Sequence, residues 1–224
     1  TSVVREAIQN SLDAKRDEHE GPVQIRFSLF EREWEQFKPF AGTDDAGLSI
    51  NDHTKCRDHG PYAEDFEGQS FRCLAVEDYG TKGLTGSTNK NEALSGSNFV
   101  GFWWNEGITG KGKGTLGNHG VGKTTLTRVS GMSAFWALTK RCDDDKSFLI
   151  GFSNVPFHQL DDCSYLGYGR YGRKSDDGNA FLPIENSGTI EAFTKVFALD
   201  RTEYGLSVLI PAVPSSVEHD SILE

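Results

Sequence analysis

The chain is 224 residues long, with 36% apolar and 25% charged side chains, which gives enough apolar matter for one large core and excludes a disordered tail. Thirty-three acidic residues against 23 basic ones leave a net charge of −10, so this chain does not grip a nucleic-acid backbone by itself, and any such binding falls to other domains. No apolar run approaches the roughly 20 residues that span a bilayer. The four cysteines form no CxxC pair, which fits a reducing, cytoplasmic setting better than a disulfide framework.

In chain order, residues 1–17 predict an amphipathic helix. Val4, Ile8 and Leu12 recur at four-residue spacing on one side, with Glu6, Asn10 and Asp13 opposite. Gly21 and Pro22 stop it. Residues 23–30 alternate as a strand, with Ile25, Phe27 and Leu29 facing one way. The pattern is lost over 31–68. A second strand at 70–77 runs into an acidic, glycine-rich turn, and 83–117 is rich in Gly, Ser, Thr and Asn apart from residues 99–104. Such composition predicts a long functional loop. A helix is expected at 122–131 and strands at 133–139, 147–153 and 206–210. The order predicts a single α+β domain, a sheet with helices on one face. The start within a helix and without an initiator Met predicts a piece of a longer protein.

Three segments carry chemistry. Glu6, Asn10 and Asp13, at i, i+4 and i+7, stack along one helical stripe. Asn offers a neutral oxygen to Mg²⁺ and Glu can position and deprotonate a water, although a solvated polar face is the commoner origin of such a stripe. Asp78-Tyr79-Gly80-Thr81-Lys82-Gly83 ends a strand with a carboxylate beside glycines that let a ligand approach the backbone. A buried Asp there accepts from the exocyclic amine of adenine and repels the carbonyl of guanine; a plain Asp-Gly turn is the bland alternative. Gly117-Asn118-His119-Gly120-Val121-Gly122-Lys123-Thr124 leads a glycine-rich loop into a helix, whose N-terminal N–H groups and dipole suit phosphate.

That last segment fits the Walker A pattern G-x-x-x-x-G-K-T and also G-x-x-G-x-G. A P-loop follows a buried hydrophobic strand, and residues 110–116, GKGKGTL, are not one. No downstream apolar strand ends in Asp, and the Walker alternative leaves the first helix and the Asp78 turn unexplained.

Taken together, the three segments resemble the boxes of the GHKL superfamily, the Bergerat-fold ATPases of gyrase, the cytosolic heat-shock (HSP90-like) chaperones, histidine kinases, MutL and MORC proteins. The helix Arg5-Glu6-Ala7-Ile8-Gln9-Asn10-Ser11-Leu12-Asp13-Ala14 resembles the N-box, the Asp78 turn the D-x-G-x-G box, and Gly117 to Gly122 the G-x-x-G-x-G box. The resemblance spans Glu6 to Pro211. It implies a two-layer α/β sandwich, a mixed but mostly antiparallel sheet, and an ATP lid over 84–117.

By the same resemblance Glu6 would be the general base and Asn10 the Mg²⁺ ligand, with Asp13 supporting the nucleotide face. Asp78 would read adenine, Gly80 and Gly83 would shape the wall, and Gly117, His119, Gly120, Val121 and Gly122 would form the phosphate loop. Lys123 and Thr124, attractive in the Walker alternative, have no fixed family role. The second box departs from the pattern by one extra residue. In Gly205-Leu206-Ser207, Leu206 stands where the family usually has a Thr that helps Asp hold the base, and Ser207 points to the other face of a regular strand. The resemblance implies an Mg²⁺-dependent ATPase that couples nucleotide state to lid closure and homodimerisation through regions partly outside this chain. The Asp13-Ala14 form points, by fold analogy, to a bacterial MORC-like or chaperone-like protein of DNA metabolism or antiviral defence. A histidine-kinase-like phosphotransfer domain is the alternative.

Two further clusters stand out. His53, Cys56 and His59 have metal-compatible spacing, with Cys73 a candidate fourth ligand, although chance is the commoner cause in a polar loop. Phe99, Phe102, Trp103 and Trp104 are expected to anchor the lid on the core in preference to docking on a partner.

Overall fold

The computed structural model describes residues 2–56, 65–89, 97–104, 119–176, 178 and 180–217. In chain order the elements are α1 (Ser2–Asp13), β1 (Gln24–Glu33), α2 (Trp34–Phe37) with a 3₁₀ turn at Lys38–Phe40, α3 (Ile50–Lys55), β2 (Ser70–Tyr79), α4 (Asn98–Trp103) and α5 (His119–Val129). There follow β3 (Ala134–Lys140), β4 (Ser147–Ser153), the short strands β5 (His158–Leu160), β6 (Cys163–Tyr165), β7 (Gly169–Tyr171), β8 (Arg173–Lys174) and β9 (Phe181–Leu182), then α6 (Ser187–Phe197) and β10 (Gly205–Pro211).

Six strands form one sheet in the order β1-β2-β10-β3-β4-β7. Every ladder among the described residues is antiparallel, so the mixed sheet expected from sequence is replaced by an antiparallel one. The last long strand in the chain thus sits at the centre, between β2 and β3.

Alternation along the strands divides the core in two. Leu74, Val76, Val208, Ile210, Phe135 and Ile150 point to the face covered by α1, α4 and α5. Cys73, Ala75, Leu209, Trp136, Leu138 and Leu149 point to the other. That second face is not bare: Trp34 and Phe37 of α2, Phe40, and Phe193 and Phe197 of α6 cover it. The expectation of helices on one face alone therefore describes only the site-bearing side. The α+β architecture stands, and Ile25, Phe27 and Leu29 share one face as expected.

Helices α2, α3 and α6 and the short strands β5–β9 were missed in the sequence. Within the 31–68 stretch, Trp34, Phe37 and Phe40 are buried at every third position. Phe37 lies edge-on to Phe71, Trp136 and Phe197, with ring centroids 5.6, 4.9 and 6.0 Å apart. Helix α6 is started by Asn186, whose side chain accepts from the Thr189 N–H at 2.9 Å, and closed by Ala198 in the left-handed conformation.

Helix α1 turns its faces differently from the predicted stripe. Ile8 and Leu12 are 41% and 58% exposed, whereas Val3 and Ser11 are buried. The inward side is made of Val3, Ala7, Ser11 and Ala14, small residues that bring the helix close to the sheet and line the cavity described below. Within 83–117, α4 is a packed element: Ser97 caps it, and Phe99 and Trp103 are buried. The aromatic anchor is thus seen in Phe99 and Trp103, and residues 90–96 and 105–117 of the expected lid lie outside the described residues. No helix among the described residues is long and apolar enough to cross a membrane.

Candidate functional site

A cavity of about 460 Å³ opens between α1, the end of β2 and its following turn, α4, α5 and β10. Its wall includes Glu6, Asn10, Ser11 and Asp13 of α1, Asp78, Thr81 and Gly83, Lys123 and Leu126 of α5, and Leu206 and Val208 of β10. The candidate residues from the first helix, the Asp78 turn and the α5 helix therefore meet around one space, although they are far apart in sequence.

Asp78 is the polar centre of the wall. It is 8% exposed, and its carboxylate accepts three hydrogen bonds. Thr81 Oγ1 donates to Oδ1 at 2.6 Å, the backbone N–H of Leu206 donates to Oδ1 at 2.8 Å, and Ser11 Oγ donates to Oδ2 at 3.2 Å. Burial pushes the Asp78 carboxyl up from its ordinary value; Thr81, Leu206, Arg201 and Ser11 oppose the shift by stabilising the charged form.

A second buried polar layer lies behind it. Arg201 donates to the Asp78 carbonyl at 2.6 Å, the Leu206 carbonyl at 3.0 Å and Ser207 Oγ at 3.0 Å, and its guanidinium sits over the Tyr79 ring. Ser207 in turn donates to Glu77, which accepts from Arg26 and from the Asp200 N–H. Ser207 is thus fully buried on the face away from the cavity, while Leu206 and Val208 line it. Arg201, Glu77 and Ser207 were missed as a group because nothing in their local spacing joins them.

The turn after β2 is stitched to α1 by backbone bonds: Arg16 N–H to the Gly80 carbonyl at 3.1 Å and Lys82 N–H to the Ala14 carbonyl at 2.9 Å. Gly83 has φ +68°, and a Cβ there would strike the Lys140 carbonyl and lie 2.8 Å from Thr139 Oγ1, so glycine is required. Gly80, at φ +78°, faces the His19 ring and is not among the cavity's lining residues.

On α1, Asn10 Nδ2 donates to Glu6 Oε1 at 3.3 Å, which leaves the Asn10 carbonyl oxygen and the second Glu6 carboxylate oxygen outside that bond, on two residues that line the cavity. These are hard oxygen donors of the kind Mg²⁺ takes alongside phosphate and water, so the residues present fit that ion. On α5, Lys123 is 4% exposed, with Nζ 5.2 Å from the Phe152 ring centre. Thr125 and Leu126 join it in the lining, and Thr124 does not. His119, Gly120, Val121 and Gly122 form the start of α5, which begins three positions before the expected helix start at 122. Gly117, and the side chains of His119 and Val121, lie outside the described residues.

The metal-like cluster resolves differently. His59 lies outside the described residues, and Cys73 is buried in the core, where desolvation pushes its thiol up to about 12. His53 Nδ1 meets His158 Nε2 at 3.0 Å, His53 Nε2 meets Asp44 at 3.4 Å, and His158 Nδ1 meets the Pro156 carbonyl at 2.8 Å. All four ring nitrogens thus have polar partners within the protein. Among the described residues no group of three or more His, Cys, Asp or Glu suits a metal ion.

Compared with known proteins, the chain matches no family model, no curated protein and no solved structure at a significant level.

Proposed function

We propose that this chain is an ATP-binding and Mg²⁺-dependent ATP-hydrolysing module of the GHKL (Bergerat) type. The observation that carries the proposal is the convergence on one cavity of Asp78, the Glu6-Asn10-Asp13 stripe and Lys123. Asp78 is an acceptor-only group at the buried end, fixed by three donors and suited to the exocyclic amine of adenine. Glu6 and Asn10 stand at the mouth, where the triphosphate of a base-anchored nucleotide would reach. Lys123 and the start of α5 supply positive charge and backbone N–H groups on the opposite wall.

In this mechanism Asp78 holds the base and Asn10 offers its carbonyl oxygen to Mg²⁺, which neutralises phosphate charge when bound. Glu6 would orient a water and take its proton as the water attacks the terminal phosphorus and the bond to the bridging oxygen breaks, releasing ADP and inorganic phosphate. Closure of the segment between α4 and α5 and homodimerisation belong to the same proposal, as does a cytoplasmic role in DNA metabolism or antiviral defence.

A P-loop function is disfavoured by the antiparallel sheet and by the cavity's dependence on α1 and Asp78. Calorimetric titration with a non-hydrolysable ATP analogue and Mg²⁺ tests the choice. Loss of binding in Asp78→Asn with most of it kept in Lys123→Ala supports the proposal; binding lost only in Lys123→Ala overturns it. Label transferred from ATP to a partner histidine would instead favour phosphotransfer.

A further inference from the structure

The turn after β2 carries one residue more than the motif it resembles, and that turn brings a hydroxyl to Asp78. Thr81 is 1% exposed, lines the cavity, and donates through Oγ1 to Asp78 Oδ1 at 2.6 Å, the shortest of the three contacts to that carboxylate. The opposite wall offers no such group, because Leu206 reaches Asp78 with its backbone N–H and presents an aliphatic side chain to the cavity. A carboxylate has about four lone-pair directions. Three are filled from three separate elements, Ser11 on α1, Thr81 on the turn and Leu206 on β10, and the remaining one is on Oδ2.

We infer that Thr81 is the positioning residue for base selection: it commits its proton to Asp78, so that this end of the cavity offers only acceptors and selects a base edge bearing an exocyclic amine over one bearing a carbonyl. The inference rests on the nucleotide reading of the cavity. The physical chain is short. A protonated Asp78 could turn its O–H and donate to a carbonyl, which would blur the choice between adenine and guanine. With Oγ1–H held by Oδ1, a charge-assisted hydrogen bond stands against that protonation. The same bond favours the ionised, acceptor form of Asp78 against the pull of burial. The charged groups that line the cavity with Asp78 are Glu6 and Asp13 on α1 and Lys123 on α5, with Arg201 behind Asp78, and a substitution at Thr81 replaces none of them.

The test uses Thr81→Val, which keeps the shape and removes the hydroxyl, Thr81→Ala as a second hydroxyl-free variant, and Thr81→Ser, which restores the hydroxyl. The Asp78 carboxyl is followed by carbon NMR across pH without nucleotide, and non-hydrolysable ATP and GTP analogues are titrated calorimetrically with Mg²⁺. The expected result is that the hydroxyl-free variants titrate Asp78 at higher pH, lose about tenfold in ATP affinity and narrow the ATP-over-GTP preference, and that Thr81→Ser recovers all three. An unchanged Asp78 titration and an unchanged preference in the hydroxyl-free variants overturn the inference, as does failure of Thr81→Ser to recover them. A titration that moves as expected in a protein binding neither analogue separates the cases: the coupling of Thr81 to Asp78 stands, while the nucleotide reading and base selection both fall.

Discussion

Leu206 donates its backbone N–H to Asp78 Oδ1 at 2.8 Å, joining two residues 128 positions apart. Because the donor is main chain, the side chain at 206 is replaceable without losing the bond. Leu206→Ala should keep ATP-analogue affinity within about threefold, since it removes only apolar wall. Asp78→Asn should cost at least about tenfold, because with its amide oxygen kept on the donors of Thr81 and Leu206 its NH₂ takes the Oδ2 place and meets a base amine donor to donor. Parallel titrations of the two variants check this, and equal losses would count against Asp78 as the base anchor.

Glu6 is half-buried on α1 and lines the cavity. Glu6→Ala should bind the ATP analogue as the unaltered protein does and lower turnover by about 10²–10⁴-fold, the range for loss of a general base. Phosphate-release assays beside calorimetry separate the two quantities. A matching fall in affinity would assign Glu6 to binding instead.

The Asp78 carboxyl, raised by burial above its ordinary 3.8, gives a pH signature. An amine donor needs the ionised form, so ATP affinity should fall as pH drops through the raised value, before an ordinary aspartate would titrate. The contribution to stability has the opposite sign. A carboxyl whose folded pKa is raised holds its proton more tightly folded than unfolded, so protonation between the raised value and 3.8 favours the fold. Calorimetry and thermal unfolding between about pH 7 and pH 4 should therefore show affinity weakening without a loss of stability from this residue.

Arg201 bridges the carbonyls of Asp78 and Leu206 and the hydroxyl of Ser207. Lysine keeps the charge but not the planar fork, so Arg201→Lys should destabilise by about 1–3 kcal/mol by leaving buried acceptors short of donors. Urea unfolding reads the loss, and ATP affinity should fall with it, because the strand ends that present Asp78 and Leu206 are no longer tied.

Phe37, fully buried on the face away from the cavity, supplies the contrasting case. Phe37→Ala should cost about 3–5 kcal/mol in urea unfolding, the usual range for a buried aromatic. Folded Phe37→Ala protein should still bind the ATP analogue, since none of its aromatic partners lines the cavity.

How much of this was legible in the sequence differs by residue. The long strands show because period-two alternation marks the first half of 24–33 and the apolar content is dense within 70–79 and 134–140. The inward side of α1 was hidden because Ala7, Ser11 and Ala14 carry almost no hydrophobic signal, while the exposed Ile8 and Leu12 carry a strong one. Helix α6 could have been found from Asn186 as a cap followed by Ile190, Phe193 and Phe197 at helical spacing. Of the site, Asp78 and the α1 stripe were readable because each sits in a short local pattern. Thr81, Arg201 and the N–H of Leu206 were not, because their partners are fixed by strand order and a backbone donor leaves no trace in side-chain identity.

The central place of β10 sets when the cavity can exist during synthesis. Residues up to Pro211 must emerge before β2 and β3 gain the strand that joins them, and before Asp78 gains its main-chain donor. A nascent chain that has finished α5 and β4 thus holds most of the wall residues and no assembled site, and it exposes the facing edges of β2 and β3. Closure through so long a loop makes slow, late-cooperative folding the expected behaviour of this domain, with ligand competence arriving in its final step.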